Sequence, residues 1–420
     1  MSIHIPYGES HIVLELENVN ATIVEPLFVE GLPDERSSFL SACSWPTGSA
    51  SLAEIIQRGD QVAVCIPDAT RPFPSDRVLP WLFEYLSFVP SENIVIINGT
   101  GSHRGNTRKE LERMVGCEIL ENYRVVNHDA HDPSRLVHVG DSEFGYPVLM
   151  NRDYVEADRR ILLGFIEPHF MAGFSGGYKA AFPGVAGIDA IMQYHSAGVI
   201  GDPLSTWGNL HNNPTQEHVR AGGKLREADF LINVTLNRDR EITRFFCGHP
   251  IEAHESGCAY VKESAMVGCE APFPIVVTSN NGFPLDQNLY QTVKGMSAAA
   301  QIVEKGGLIL VASECRDGFP EHGNYRKLLF DYDTPEALLE AIHEPGFSVF
   351  DQWQVQLQAM IGQKARVEIQ SSIDSHALRR AHLKPVDSIN EALRNELDRI
   401  GKDAPIAVLP EGPVTVPYLR

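Results

Sequence analysis

Along the first half of the chain, short apolar runs alternate with turn-rich loops and with stretches of helical spacing. Residues 62–66 (VAVCI), 94–97 (IVII), 160–166 (RILLGFI) and 229–234 (DFLINV) read as strands. Their apolar character is continuous rather than alternating, which predicts burial on both faces. A helix is predicted from about Asp76. Thr107 to Glu110 (TRKE) is a capping box: the Thr107 hydroxyl can accept from the Glu110 amide while the Glu110 carboxylate reaches back. A second series begins near Pro272, with strands at 274–279 (PIVVTS), 308–313 (LILVAS) and 365–372 (ARVEIQSS). Between the first two, residues 286–305 have helical spacing and end at Gly306-Gly307, a helix-stop signal.

Strands alternating with helices predict an α/β fold, with two α/β domains, mostly parallel sheets and an active site in the cleft between them. Apolar periodicity lapses over 245–271. The domains are therefore expected at 1–265 and 266–405, with 406–420 a tail whose domain is left open and whose start, IAVL, can form a closing strand.

Composition narrows the function. Lys and Arg number 35 against 55 Asp and Glu, a formal charge of −20. Such a surface argues against nucleic acid, although a local pocket can still take a small anion. No run approaches the roughly 18 apolar residues of a membrane span, and the N-terminus lacks the basic-then-apolar order of a secretion signal. The seven cysteines are scattered without a CxxC pair, which predicts free thiols and a cytoplasmic protein.

In parallel sheets, ligands lie beyond the carboxyl ends of the strands. The loop after the first strand holds Asp68, Ala69, Thr70, Arg71 and Pro72: either a turn closed on Asp68 or a grip for an anion through Arg71. The loop after the second, 99–105 (GTGSHRG), places His103 among glycines, where it can serve acid/base work on an anion. The loop after the third, 167–184 (EPHFMAGFSGGYKAAFPG), is long and semi-apolar, with His169 and Lys179. A lysine among Phe, Tyr and Ala is either a snorkelling surface group or a desolvated, nucleophilic amine. Over 187–197 (GIDAIMQYHSA), helical spacing puts His195 on the apolar face of Ile188, Ile191 and Met192: a core histidine, or a metal ligand whose partner donors come from a cofactor. In the second half, Gln291 and Lys294 share a helix face beside Tyr290, suited to a carboxylate or simply solvated. His128 to Asp132 (HDAHD) has metal-ligand residue types, but turn signals surround it and it reads as a polar turn.

Taken together, DATRP at 68–72, GTGSHR at 99–104, the segment 167–184, His195 and the stretch 290–294 resemble the nickel-pincer lactate racemase family, across roughly residues 10 to 415. The resemblance implies a racemase or epimerase that inverts C2 of a 2-hydroxy acid by proton-coupled hydride transfer. The implied cofactor is nickel held by pyridinium-3,5-bisthiocarboxylic acid mononucleotide, the nickel-pincer nucleotide, covalently attached at Lys179. By the same resemblance His195 is the protein's nickel ligand, and Asp68, Ala69, Thr70 and Arg71 hold the cofactor. His103 and His169 are the acid/base pair. Arg71, Tyr290, Gln291, Lys294 and Trp353 meet the substrate. The N-terminal domain is then the cofactor-binding and catalytic one, the C-terminal domain clamps substrate, and other proteins must make the cofactor.

Two departures from the lactate pattern bear on substrate size. Phe170 and Met171 are bulky, and the segment 314–323 (ECRDGFPEHG) carries Phe-Pro, with Arg316 and His322 as further polar groups. Malate, an aromatic lactate or a sugar acid such as gluconate are therefore alternative substrates. A nucleotide- or phosphate-handling α/β enzyme and a non-catalytic organic-acid binder are the alternatives of other classes.

Overall fold

The computed structural model describes residues 1–420. The chain forms two compact units, one of Phe28–Tyr194 and Leu204–Ser264, the other of Met1–Leu27, His195–Pro203 and Ala265–Arg420.

The first unit is built on a six-stranded sheet in the order Ile242–Gly248, Phe230–Leu236, Arg159–Phe165, Val62–Pro67, Ile94–Gly99, Arg124–Asn127. All neighbours are parallel except the antiparallel edge strand Ile242–Gly248. Successive strand residues feed opposite faces. Val62, Val64 and Ile66 join one apolar cluster with Ile161, Leu163 and Ile232, whereas Ala63 and Cys65 join another with Leu162 and Leu231. Two covered faces explain the unbroken apolar runs in the sequence, and each buried Val, Leu or Ile contributes about 1.5–3 kcal/mol. The helix Ser75–Tyr85 and the capping box at Thr107 form as expected, with the Glu110 amide donating to the Thr107 hydroxyl.

The second unit carries an all-parallel sheet in the order Lys384–Pro385, Arg366–Gln370, Val303–Ala312, Phe273–Ser279, Ile406–Leu409, Ala21–Ile23. One face buries Ile5 and Leu14 from the hairpin Ser2–Tyr7/Ser10–Glu15, together with Ile389 and Leu393 of the helix Ile389–Ile400. Residues 1–27, placed by the sequence reading in domain 1–265, thus belong to the unit of Ala265–Arg420. Their hairpin covers one face of this sheet, and Ala21–Ile23 adds its edge strand. The tail 406–420 joins the same unit, and its IAVL segment is a strand in the body of the sheet.

The helix read as 286–305 is Leu289–Ala300, and Gly306-Gly307 lie inside the strand Val303–Ala312. Ile302 and Val303 favour the strand, so the glycines mark a strand irregularity, with a register shift opposite Phe273 to Ile275. The stretch 245–271 contains a whole helix, Glu252–Ala265. Its buried side is Ala253, His254, Gly257, Cys258 and Val261, too small and polar to show as apolar periodicity. All seven cysteines are free thiols, and no helix is long and apolar enough to cross a membrane.

A chain ending at Pro405 lacks the strand between Phe273–Ser279 and Ala21–Ile23. Limited proteolysis should then cut readily beyond Ala265; a second unit as resistant as in the full chain would show that the tail is dispensable.

Candidate functional site

Strand order in the first unit reverses between Val62–Pro67 and Arg159–Phe165: the chain moves outward from one through Ile94–Gly99 and Arg124–Asn127, then returns to the other side. Ligands bind at such a switch point, outside the strand ends. The three loops singled out in the sequence leave Val62–Pro67, Ile94–Gly99 and Arg159–Phe165 at this place.

The third loop is a rigid cradle. It begins with a short hairpin, Pro168–His169 against Gly173–Phe174, and then makes one tight turn, Gly177–Ala180. Gly176 has φ +80° and lies so close to Asn233 that a Cβ there would be 2.5 Å from the Asn233 Oδ1 atom. That same Oδ1 accepts from the Gly177 amide at 2.9 Å. Behind the turn, His254 is buried with its Nε2 atom 2.8 Å from the Ser175 carbonyl, and burial pushes its pKa down to about 4. It is a neutral structural imidazole.

Lys179 sits on this turn with Nζ 3.2 Å from the Tyr194 hydroxyl and 5.6 Å from that ring's centre. Burial, then the positive charge of Arg71, lowers its pKa from the ordinary 10.5 to about 7. Tyr194 cannot supply a compensating anion, because its own burial raises the phenol's pKa and keeps it protonated. The result is an amine that is substantially neutral, and so nucleophilic, near pH 7.

The first two loops interlock. Asp68 is buried, 4% exposed, and its Oδ2 atom lies 2.7 Å from Nδ1 of His103. Its Oδ1 atom accepts from the Thr70 hydroxyl at 2.6 Å, and the Arg71 amide closes the turn onto the Asp68 carbonyl at 3.0 Å. Burial works to raise the pKa of Asp68, but the His103 hydrogen bond and charge, the Thr70 hydroxyl and Arg71 outweigh it, and the net shift is downward. Asp68 therefore stays ionised while the His103 ring reaches solvent. Asn106 ties the same loops together, accepting from the Ala69 amide at 3.1 Å and from Asn98 at 2.9 Å. In the third loop, His169 Nδ1 accepts from the amides of Met171 and Ala172, both at 3.2 Å. Met171 is buried and Phe170 packs its ring against His169 and Trp207.

The second unit holds the other candidates. In Leu289–Ala300 every residue is buried except Tyr290, Gln291 and Lys294, so these three are the accessible part of an otherwise enclosed helix rather than a solvated face. The helix Gln352–Lys364 runs Gln-Trp-Gln-Val-Gln-Leu-Gln, and all four glutamines are buried. Gln354 donates to the Tyr290 carbonyl at 2.6 Å, Gln352 to the His195 carbonyl at 3.3 Å and Gln356 to the Ala197 carbonyl at 2.8 Å. The Trp353 ring stacks on His195 at 4.3 Å, and its Nε1 donates to the Tyr290 hydroxyl at 3.1 Å. One helix thus fixes both the backbone and the ring of His195. The expected helix over 187–197 ends at Tyr194, and His195 lies in the turn beyond it, so an aromatic neighbour and not an apolar helix stripe sets its place.

No cluster of three or more His, Cys, Asp or Glu side chains forms a metal cage. His128 to Asp132 is a turn, with His128 buried against the Ala186 carbonyl at 2.9 Å and Asp132 capping Ser134 at 3.0 Å. Arg316 is engaged by Glu9 at 3.0 Å and Glu314 at 3.2 Å.

Comparison with known proteins decides the family. Residues 7–208 match the lactate racemase N-terminal domain and residues 269–416 the lactate racemase C-terminal domain. Lactate racemases of Thermoanaerobacterium thermosaccharolyticum and Lactiplantibacillus plantarum are each 33% identical, with 98% of both chains covered. The chain belongs to the lactate racemase family. Its members' activity makes it an isomerase. The structure of the T. thermosaccharolyticum lactate racemase apoprotein overlays with a TM-score of 0.93 at 32% identity over the whole of both chains. A Thermotoga maritima protein shares the fold at TM-score 0.69 and 18% identity, covering 94% of this chain and all of the other.

Within this lactate racemase relative, sequence reasoning missed Tyr194, Asn233, His254 and the glutamines. Asn233 carried a signal, being a polar residue inside the apolar run DFLINV. So did the alternating glutamines, whose period of two on a helix places them all round it. Tyr194 and His254 carried none.

Two expectations follow for Lys179. Acylation of its peptide, followed by mass spectrometry, should have a midpoint near pH 7; a midpoint near that of ordinary lysines would refute the desolvated amine. Between about pH 7 and 10.5 the unfolded chain binds a proton that the folded one does not, so stability rises with pH there and the penalty is full below 7. Lys179→Met should therefore melt higher than the parent at pH 7, with the gap narrowing toward pH 10.

Proposed function

We propose that this chain racemises lactate or a 2-hydroxy acid of similar size, using a nickel-pincer nucleotide attached through Lys179. The observation that carries the reading is the near-neutral Lys179 amine at the switch point, in a chain so closely related to two lactate racemases. A largely desolvated lysine with no carboxylate paired to it is costly for a fold and useful for a covalent attachment. The description of the solved relative as an apoprotein supports a detachable cofactor. The donor set also suits the group: with no side-chain cage, a metal here needs most of its donors from a bound molecule, and one imidazole, His195, with soft sulfur donors suits nickel.

The C–H bond of a 2-hydroxy acid lies beside a carboxylate, so removing its hydrogen as a proton would put negative charge next to negative charge. The bound nucleotide supplies a two-electron acceptor and donor for that hydrogen instead. The protein's residues handle the rest. His103, anchored by Asp68, takes the hydroxyl proton, and His169 meets the same oxygen when the planar keto acid is turned over. Arg71 and Lys294 hold the carboxylate, with Gln291 and Tyr290 beside it. Trp353 and the glutamines keep His195 oriented. Asp68, Ala69, Thr70 and Arg71 form the loop against the cofactor. The ion pairs of Arg316 argue for a monocarboxylate over malate, since its charge is already matched. Seven free thiols support a cytoplasmic enzyme, supplied with cofactor by other proteins.

The test is protein co-produced with a cofactor-making system, incubated with L-lactate or D-lactate in deuterated water and followed by chiral chromatography. Each enantiomer should become a mixture without deuterium at C2, and Lys179→Ala should abolish turnover together with the mass increment on its peptide. Nickel-loaded protein that leaves both enantiomers intact would reject the substrate; deuterium at C2 would reject the hydride route.

A further inference from the structure

We infer that His103 and His169 are preset in opposite tautomers by their own loops, so that His103 rests as a proton acceptor at Nε2 and His169 as a proton-bearing donor at Nε2. The roles this gives them in turnover rest on the racemase reading; the tautomers themselves do not.

The geometry is direct. His103 Nδ1 faces the Asp68 Oδ2 atom at 2.7 Å, and a carboxylate can only accept, so Nδ1 must carry the proton. In the neutral ring the lone pair is then on Nε2. His169 is the reverse case. Two amide N–H groups, of Met171 and Ala172, point at its Nδ1 from 3.2 Å, and an amide N–H can only donate. Nδ1 must hold the lone pair and Nε2 the proton. Both settings come from backbone-fixed elements. Asp68 is buried at the end of Val62–Pro67 and braced by Thr70, while the Met171-Ala172 turn is closed by the Pro168–His169/Gly173–Phe174 hairpin. Asn213, fully buried, further pins that turn by donating to the Met171 carbonyl at 2.8 Å.

The two histidines are therefore inequivalent at rest. A hydroxyl presented to His103 can pass its proton straight to Nε2, with Nδ1–H still bound to Asp68. A hydroxyl presented to His169 meets an N–H that, in the neutral ring, donates a hydrogen bond and does not take up or give up a proton. For His169 to take a proton at Nε2, the ring must first move its hydrogen to Nδ1, which would set two N–H groups against a third and forces the turn to let go. Asp68 is then a positioning residue for the base, and the amides of Met171 and Ala172 position the donor. Because racemisation has an equilibrium constant of one, kcat/KM must be equal for the two enantiomers. The inequivalence can only appear as kcat and KM shifted by the same factor between them.

The test uses cofactor-free, full-length protein labelled with 15N at histidine, with His103→Gln and His169→Gln to assign the two rings. Ring nitrogen shifts distinguish a protonated from an unprotonated nitrogen. The expected pattern is protonated Nδ1 and bare Nε2 for His103, and bare Nδ1 with protonated Nε2 for His169. Asp68→Asn should disturb the His103 pattern and leave that of His169. The same tautomer on both rings, or a proton on Nδ1 of His169, overturns the inference, even in a protein that racemises lactate. Opposite tautomers in a protein without racemase activity would uphold it and reject the functional reading instead.

Discussion

Holding a largely desolvated amine at Lys179, with no carboxylate paired to it, is the constraint on which the third loop is built. An ammonium at Lys179 would be desolvated and would face the charge of Arg71, while Tyr194 offers a hydroxyl that burial keeps protonated. Such a group drifts toward solvent unless its backbone is held. The holding is done by atoms with no chemistry of their own. Asn233 accepts from the Gly177 amide, His254 meets the Ser175 carbonyl, and Gly176 adopts a conformation that a side chain would obstruct. The Asn233 strand is hydrogen-bonded on both sides in a sheet covered on both faces, so the turn inherits the sheet's rigidity. A loop without these anchors would let the amine reach water and recover its ordinary pKa.

The second unit meets a comparable demand differently. Buried glutamines are expensive, each losing about 1–3 kcal/mol if its amide goes unmatched. Here their amide N–H groups are directed at the backbone carbonyls of His195, Ala197 and Tyr290. An apolar helix in the same place would pack as well but would not specify where the turn at His195 lies. Trp353 adds the second coordinate, stacking on the imidazole while its indole N–H fixes the Tyr290 hydroxyl. Position and orientation of a single ring are thereby set by separate contacts of one helix.

How much of this could be read beforehand followed from range. The strands of both sheets were legible because burial on two faces leaves a continuous apolar run, and the capping box because it is local. The loops after Val62–Pro67, Ile94–Gly99 and Arg159–Phe165 were legible as candidates because strand alternation points to their ends. What escaped was set by long-range contacts. The hairpin Ser2–Tyr7/Ser10–Glu15 belongs with residues more than 260 positions away, and nothing local says so. Ile302 and Val303 overruled a glycine pair that looked like a helix stop. The first loop read either as a turn closed on Asp68 or as an anion grip through Arg71, and the partner that holds the Asp68 carboxylate, His103, lies 35 positions away. Lys179 could be singled out but not titrated, since its neighbours Arg71 and Tyr194 come from other segments.

The strongly acidic balance of the chain does not oppose an anionic substrate. At physiological salt, fields between exposed charges fade over about 8 Å, so a charge of −20 spread over the surface acts weakly at any one point. Nearby groups decide instead, and in the reading proposed above Arg71 and Lys294 are the cations assigned to the carboxylate. The acidic excess is partly spent locally, because carboxylates sit next to cations and pair with them. Arg316 is closed by Glu9 and Glu314, and Arg104 by Glu110 at 2.7 Å. Arg104 follows His103 directly, and leaving it unmatched would place an unpaired cation beside that ring. Pairing it away leaves Asp68, at 2.7 Å from Nδ1, as the charge in direct contact with the His103 ring.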